Sequence, residues 1–296
     1  MEFSGMKKAK CLVTGGSGFI GSHIIDKLKE RDYQIFNFDR VNGYNICNWR
    51  MVHNIIDRYD PDVVFHLAGI LGTSELMQKV LPAEKINVQG TLNVLDVCAT
   101  RKIPIVFASK LNPPDWINPY TITKQACDAY CKMYQQQWQA KICILKPLNV
   151  YGPRQKPHPV QKYVPTFIDR AFKNESLPVW GTGQQFVDPV YVNDVAEAFV
   201  RAWEKERWGL TIEIGLGSNI PVLEVAETVL ELIQSESKIE FLPMRPGEPE
   251  PHAFPVIANT HNMEKFLNIH PKRMFNLVDG LTETISWWKK HAVKDG

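Results

Sequence analysis

Near the start of the chain an apolar run, Cys11-Leu-Val13, gives way to Thr14-Gly-Gly-Ser-Gly-Phe-Ile-Gly21 and then to an amphipathic stretch ending at about Glu30. The run reads as a buried strand, the glycines as a tight turn and Phe19 to Glu30 as a helix. In the spacing Gly15-x-x-Gly18-x-x-Gly21 the first glycine permits the turn. The second lets backbone approach a pyrophosphate, and the third lets helix and strand pack closely. The helix N-terminus then meets the phosphates with free N–H groups and the positive end of its dipole. Such spacing alone also fits an ordinary strand-to-helix turn. Here a second apolar strand, Gln34 to Phe38, ends at Asp39. An acid about twenty residues past the glycines can accept hydrogen bonds from the adenosine ribose and repels a 2′-phosphate. That favours NAD over NADP. Arg40 pulls the other way, since an arginine can pair with that phosphate, and Asp39 could also be a plain strand-end turn residue.

Helices predicted over 49–59, 83–100 and 120–138 alternate with strands over 62–67, 104–108 and 141–145. Such alternation means βαβ units and a parallel, doubly wound α/β sheet. From Tyr151 onward prolines multiply (Pro153, Pro157, Pro159, Pro165, Pro178 and Pro189) and helices shorten, to 166–173, 192–204, 222–234 and a closing 279–291. The expected organisation is a dinucleotide-binding domain over 1–150 and mainly a smaller substrate-binding domain over 151–296. The segment near 186–216 is expected to return to the first.

The 296 residues, 44% hydrophobic and 22% charged, suit a soluble globular chain of one large or two modest domains. A net charge of +2, with both signs interspersed, points away from nucleic acid and from a membrane surface. No apolar run approaches the ~20 residues that span a bilayer, and the N-terminus lacks a signal-peptide core, so a cytoplasmic location is expected. The six cysteines are scattered without a C-x-x-C pair and read as reduced, structural thiols. Cys127 and Cys131 lie one helical turn apart, yet no histidine at ligand spacing joins them, and no metal is expected.

Tyr120-Thr-Ile-Thr-Lys124 opens a helix, which puts the phenol and the ammonium one turn apart on one face. A nearby ammonium favours the phenolate. A tyrosine so tuned can take a proton from an alcohol while hydride leaves for NAD. The spacing also arises by chance, as a surface lysine above a core tyrosine. Its place after the strand 104–108, on a helix bordering the nicotinamide, favours the chemical reading.

Further motifs stand in order: His66-Leu-Ala-Gly69, Asn87-x-x-Gly90-Thr91, Lys146-Pro-Leu-Asn149-Val-Tyr-Gly-Pro153-Arg154, Gly181-Thr-Gly-Gln-Gln185, Asp188-Pro-Val-Tyr-Val-Asn-Asp194, Arg245-Pro-Gly-Glu248 and Gly280-Leu-Thr-Glu-Thr-Ile-x-Trp287. With these the chain resembles, end to end, the extended short-chain dehydrogenases/reductases of the NAD-dependent nucleotide-sugar epimerase/dehydratase group. The stretch from His66 to Asn93 looks most like the UDP-hexose 4-epimerases. The resemblance implies a Rossmann-type doubly wound parallel sheet with a smaller C-terminal α/β substrate domain. It implies that Gly15, Gly18, Phe19, Ile20 and Gly21 hold the pyrophosphate of NAD, and that Asp39 and Arg40 border the adenosine ribose. Asn45-Ile46 would sit beside adenine, where the family usually has Asp-Ile. Leu67, Ala68 and Gly69 would line the dinucleotide, with Asn87, Ala108 and Pro147. Tyr120 would be the base, and Lys124 would bind the nicotinamide ribose and tune Tyr120. Asn149, Gln185, Tyr191 and Arg245 fall in the sugar-nucleotide region. Arg245 would be the diphosphate ligand, since its planar fork matches phosphate oxygens; otherwise it is a loop-surface arginine. A homodimer is also implied, pairing helices near 83–100 and 120–138 of each copy. Ala126, Ala129, Tyr130 and Met133 fit that pairing and equally fit packing on the sheet.

Two departures stand out. The family places a serine or threonine after the strand 104–108, within a longer segment. Here the run is Phe107-Ala-Ser109-Lys110-Leu111, and ungapped alignment puts Lys110 at the usual hydroxyl. Ser109 shifting into the role is the working expectation. Lys110 acting as a cation, or loss of the role, are the alternatives. The family also usually has an arginine before the aspartate at 188, where this chain has Val187. Arg154, Lys156 or Lys162 would then compensate, or the substrate carries less charge.

These residues favour an NAD-dependent nucleotide-sugar epimerase acting at C4 through a 4-keto intermediate, with a UDP-sugar as the first candidate substrate. The nearest rival is a nucleotide-sugar dehydratase. The 4,6-dehydratases carry Asp-Glu after the catalytic threonine, where this chain has Leu111-Asn112. Another acid such as Glu75 could serve, although Glu75 reads first as a helix-start residue. A rival of another class is a non-catalytic dinucleotide sensor or scaffold. The altered loop supports it, and the Tyr120/Lys124 pair counts against it.

Overall fold

The computed structural model describes residues 8–111, 116–248 and 256–291. The first half runs β1 (Lys10–Thr14), α1 (Phe19–Glu30), β2 (Gln34–Phe38), α2 (Trp49–Tyr59) and β3 (Val63–His66). Next, α3 (Val80–Ala83) passes through a wider π turn, Glu84–Gln89, into α4 (Gly90–Arg101). The helix expected over 83–100 is therefore bulged, and the bulge carries Asn87. Then come β4 (Ile105–Ala108), α5 (Pro119–Trp138) and β5 (Ile142–Pro147). Local chemistry sets the helix starts. Asn48 and Asn118 each accept a hydrogen bond from the first turn of α2 and α5, and Pro119 occupies the position where a missing N–H costs nothing. By contrast, α1 starts at Gly18 with no side-chain cap.

The second half contains β6 (Val150–Tyr151), α6 (Tyr163–Phe172), β7 (Leu177–Trp180), β8 (Phe186–Val187), β9 (Val190–Tyr191) and α7 (Val192–Glu204). It continues with β10 (Thr211–Ile214), β11 (Ile220–Pro221), α8 (Val222–Ile233), β12 (Ile239–Leu242) and α9 (Leu277–His291).

The central sheet has six parallel strands in the order β10-β5-β4-β3-β1-β2. Its inner strands are apolar on both faces because helices cover both. On one face α1 and α7 contribute Ile24, Leu28 and Phe199; on the other α2, α4 and α5 contribute Ile56, Leu95 and Cys131. This is the doubly wound, Rossmann-type architecture. Strand order reverses at β1, between β2 and β3, and the crevice at the carboxyl ends of β1 and β3 is where such sheets take ligands.

A third apolar cluster, with Phe167, Val179, Val225 and Leu281, joins α6, α8 and α9. Small strand pairs surround it: β7 with β12, β8 with β11, and β6 with β9. The fully buried Asp188 carboxylate ties these parts to the sheet. It accepts hydrogen bonds from the backbone N–H groups of Leu216, Gly217 and Ala258 at 3.0, 2.9 and 3.0 Å. Among the described residues no helix is long and apolar enough to cross a membrane.

Candidate active site

One cleft of about 570 Å³ runs from the glycine-rich turn to the loops of the second half. At its start the glycines leave no room for side chains. Gly15 has φ +71°, and a Cβ there would stand 2.8 Å from the Ala68 nitrogen; one on Gly21 would stand 2.2 Å from the Gly15 carbonyl oxygen. The uncapped N-terminus of α1 opens on the same cleft through Gly18, Phe19 and Ile20. Asp39, at the end of β2, lines it too, accepting from the Ser17 and Val41 N–H groups at 2.9 and 3.1 Å. A phosphate-sized space bounded by backbone, an open helix N-terminus and a carboxylate at the neighbouring strand end fit a dinucleotide. Leu67, Ala68, Gly69, Ala108 and Pro147 continue the wall.

A proton-ordered chain holds this wall to the helix bearing Tyr120. His66 is 1% exposed, and burial pushes its pKa down to about 3, so the imidazole is neutral. Thr91 donates its hydroxyl to the Asn87 carbonyl at 2.6 Å, so it accepts from His66 Nε2–H at 3.0 Å. His66 Nδ1 must then accept from the Thr14 hydroxyl at 2.7 Å. Thr14 Oγ1 in turn accepts the Leu67 and Ala68 N–H groups, both at 3.1 Å. Asn87 extends the chain, donating to Thr123 Oγ1 at 3.0 Å, and Thr123 donates to the Tyr120 carbonyl at 3.0 Å.

Tyr120 and Lys124 both line the cleft. The lysine's effect differs from the sequence expectation. Lys124 Nζ donates to the Ala108 carbonyl at 2.7 Å and sits 4.9 Å from the centre of the Phe107 ring. Burial lowers the Lys124 pKa and pushes that of the Tyr120 phenol up to about 12. Within the protein's own groups, desolvation outweighs the neighbouring ammonium.

The loop after β4 brings its polar groups to the same place. Ser109 is 5% exposed, and its Oγ, buried and unpartnered, lines the cleft. Lys110 also lines it, donating from Nζ to Thr121 Oγ1 at 2.9 Å with the Trp116 ring centre 4.5 Å away. Burial and then the Lys162 and Lys146 charges push the Lys110 pKa down to about 7. Asn112 lies outside the described residues.

Beyond the sugar-sized middle, Asn149, Gln185 and Arg245 line the cleft. Asn149 Oδ1 accepts from the Asp188 N–H at 3.2 Å, and Gln185 Nε2 donates to the Trp180 carbonyl at 2.7 Å. Arg245 pairs with Glu75 at 3.3 Å and with Glu248, while its Nε is buried and unpartnered. Of the cations expected to compensate for Val187, only Lys162 reaches the cleft, at the N-terminus of α6. Arg154 is held instead by Asp26 at 2.8 Å. Tyr163 and Thr166, on α6, also line the cleft with buried, unpartnered hydroxyls that the sequence reading missed.

Other expected residues stand apart from this cleft. Tyr191 is 3% exposed, its ring 4.5 Å from that of Phe275, because β9 turns it into the core under α9. Asn87 is a strut of the buried chain. Ile46 packs beneath Gly90, and Arg40 and Asn45 border a separate shallow hollow with Lys85. Among the described residues no cluster of three or more His, Cys, Asp or Glu could hold a metal.

The profile of the NAD dependent epimerase/dehydratase family matches residues 11–215. The chain belongs to this family. The UDP-N-acetyl-alpha-D-glucosaminuronate decarboxylase of Bacillus cytotoxicus is 30% identical, over 96% of this chain and 98% of that one. The UDP-glucose 4-epimerase of Thermotoga maritima, solved with UDP-glucose, superposes with a TM-score of 0.88 at 27% identity, over 96% of this chain and 99% of that one. The Thermus thermophilus UDP-glucose 4-epimerase, solved with NAD, gives 0.83 at 26% identity, over 95% and 99%. NAD is the family's cofactor, and the glycine cradle is built for it.

Proposed function

We propose that this family member is a nucleotide-sugar 4-epimerase using NAD. The observation that carries the reading is a single cleft holding the glycine cradle, the Tyr120 phenol and the unpartnered Ser109 hydroxyl. NAD held at Gly15, Gly18 and Gly21 would supply a reversible hydride acceptor for C4. Tyr120 takes the C4 hydroxyl proton on its phenolic oxygen and returns it. Its phenolate, costly in this buried place, is stabilised by Lys124 and by the positive oxidised nicotinamide. Ser109 donates to the C4 oxygen. Lys162, the N-terminus of α6 and Arg245 receive the diphosphate, with Arg245 released from Glu75 and Glu248 as phosphate replaces them. The cleft, about 570 Å³, leaves room for the 4-keto sugar to turn before hydride returns. We also propose a homodimer built on α5, whose outer face exposes Ile122, Tyr130 and Met133.

Dehydration is disfavoured by Leu111, where the dehydratases carry an acid, and by Glu75, which is not among the residues lining the cleft and accepts from the Gln161 N–H at 3.0 Å. The test is incubation with UDP-, dTDP-, GDP-, CDP- and ADP-sugars without added oxidant or reductant. A new isomer of unchanged mass is expected. A product lighter by water or by carbon dioxide would replace epimerisation with dehydration or decarboxylation, and no conversion with NAD bound would favour a sensor.

A further inference from the structure

The sugar end of the cleft is rich in hydrogen-bond donors that lack acceptors. Trp116 Nε1 and Ser109 Oγ are buried and unpartnered, and both residues line the cleft beside Lys110. The ammonium of Lys110 has three N–H bonds and uses one on Thr121. Indole N–H and ammonium donate only, and the serine hydroxyl can donate as well.

The charges that act on Lys110 are mostly positive. Lys162, Lys146 and Lys124 all disfavour a protonated Lys110, and Asp128 alone favours it. Asp128 is taken up by Lys146, 2.7 Å away. Among the described residues neither Lys110 nor Lys162 forms an ion pair. The acids lining the cleft are engaged elsewhere: Asp39 at the glycine turn, Glu248 on Arg245. An oxidised nicotinamide adds a further positive charge. With a neutral hexose the Lys110 ammonium has no ion-pair partner among the described residues, which is costly away from water.

We propose that Lys110 and Trp116 receive a carboxylate on the sugar ring, beside the C4 oxygen that Ser109 holds, so that the preferred substrates are nucleotide-linked hexuronic acids rather than neutral hexoses. The proposal rests on the nucleotide-sugar reading above. A hexuronate bears its carboxylate on C5, next to the reacting C4. Lys110 follows directly on Ser109 and its side chain reaches farther, so the two can address adjacent carbons. A carboxylate offers about four acceptor sites to these donors. It forms a charge-assisted bond with the ammonium and offsets the like-charged neighbours. Proton uptake by Lys110 then accompanies binding of the acid near neutral pH.

The test compares matched pairs, UDP-glucuronate with UDP-glucose and dTDP-glucuronate with dTDP-glucose, on the NAD-loaded full chain. Affinity is read by calorimetry and turnover by product analysis. The uronate is expected to bind at least about tenfold more tightly than its neutral partner. Lys110→Met should abolish that ratio, and Lys110→Arg should keep most of it. Trp116→Phe, which keeps the ring and removes the N–H, should lower the ratio by about threefold. It serves as the second arm should Lys110→Met fail to fold. Equal affinities in the unaltered protein, or a uronate preference that survives Lys110→Met, would overturn the proposal. Turnover of the neutral sugars alone would sink it and leave the epimerase reading standing. Neither binding nor turnover of any of the four would remove both.

Discussion

Replacing His66 with glutamine should flatten the acid side of the stability profile. The imidazole is enclosed, neutral, and committed to Thr14 through Nδ1 and to Thr91 through Nε2. Its pKa lies at about 3 in the folded chain, against about 6.5 for a histidine in the unfolded chain. The folded state therefore binds fewer protons, and stability falls as pH drops below about 6.5. Between pH 7 and pH 5 the loss from this one group is about 2 kcal/mol. The figure hardly changes if the folded pKa lies a unit higher, because pH 5 is still above it. Glutamine cannot take up a proton. His66→Gln should be less stable at pH 7 by about 1–3 kcal/mol, for a disturbed buried hydrogen-bond chain. It should also lose about 2 kcal/mol less than the unaltered protein on going to pH 5. Urea unfolding at half-unit steps from pH 5 to 8, at fixed NAD concentration, reads both numbers. Parallel profiles for the two proteins would refute a neutral, buried His66.

Gly21→Ala places a methyl group 2.2 Å from the Gly15 carbonyl oxygen and must displace α1 from β1. NAD affinity by calorimetry should fall at least about tenfold. Asp188→Asn removes the charge on which four backbone N–H groups converge. The denaturation midpoint should report a loss of about 2–3 kcal/mol. Tyr130→Asp combined with Met133→Asp puts carboxylates on the outer face of α5, and sedimentation velocity should show a dimer becoming a monomer. An unaltered sedimentation coefficient would place the interface elsewhere.

The parts legible in sequence were those that local chemistry determines. Gly15, Gly18 and Gly21 specify their turn without outside help, and α1, β2, α2 and α7 start and stop at their expected residues. The short strands of the second half were hidden. β7 and β11 contain Pro178 and Pro221, and each pairs only with a segment far away in sequence. In the site, Tyr120 and Lys124 were found because one helical turn joins them. Trp116, Tyr163 and Thr166 reach the cleft through loop paths and helix docking, which leave no periodic signal, whereas Lys162 stood among the candidate compensating cations. Tyr191 occupies a motif position without reaching the cleft, because its strand points it inward, against Tyr151 and Phe275. Burial raises the Tyr120 phenol in the protein alone, and helical spacing, which reports proximity to an ammonium, is silent on burial.

In the proposed reaction, hydride leaves C4 and returns to C4 within one cleft. UDP-glucose and UDP-glucuronate carrying deuterium at C4 test it directly, with the NAD-loaded protein and no added oxidant or reductant. The expected product is a C4-inverted sugar that keeps its deuterium at C4 and its full mass, with Tyr120→Phe slower by at least about a hundredfold. Inversion with loss of the deuterium to solvent, or a product lacking water or carbon dioxide, would contradict it.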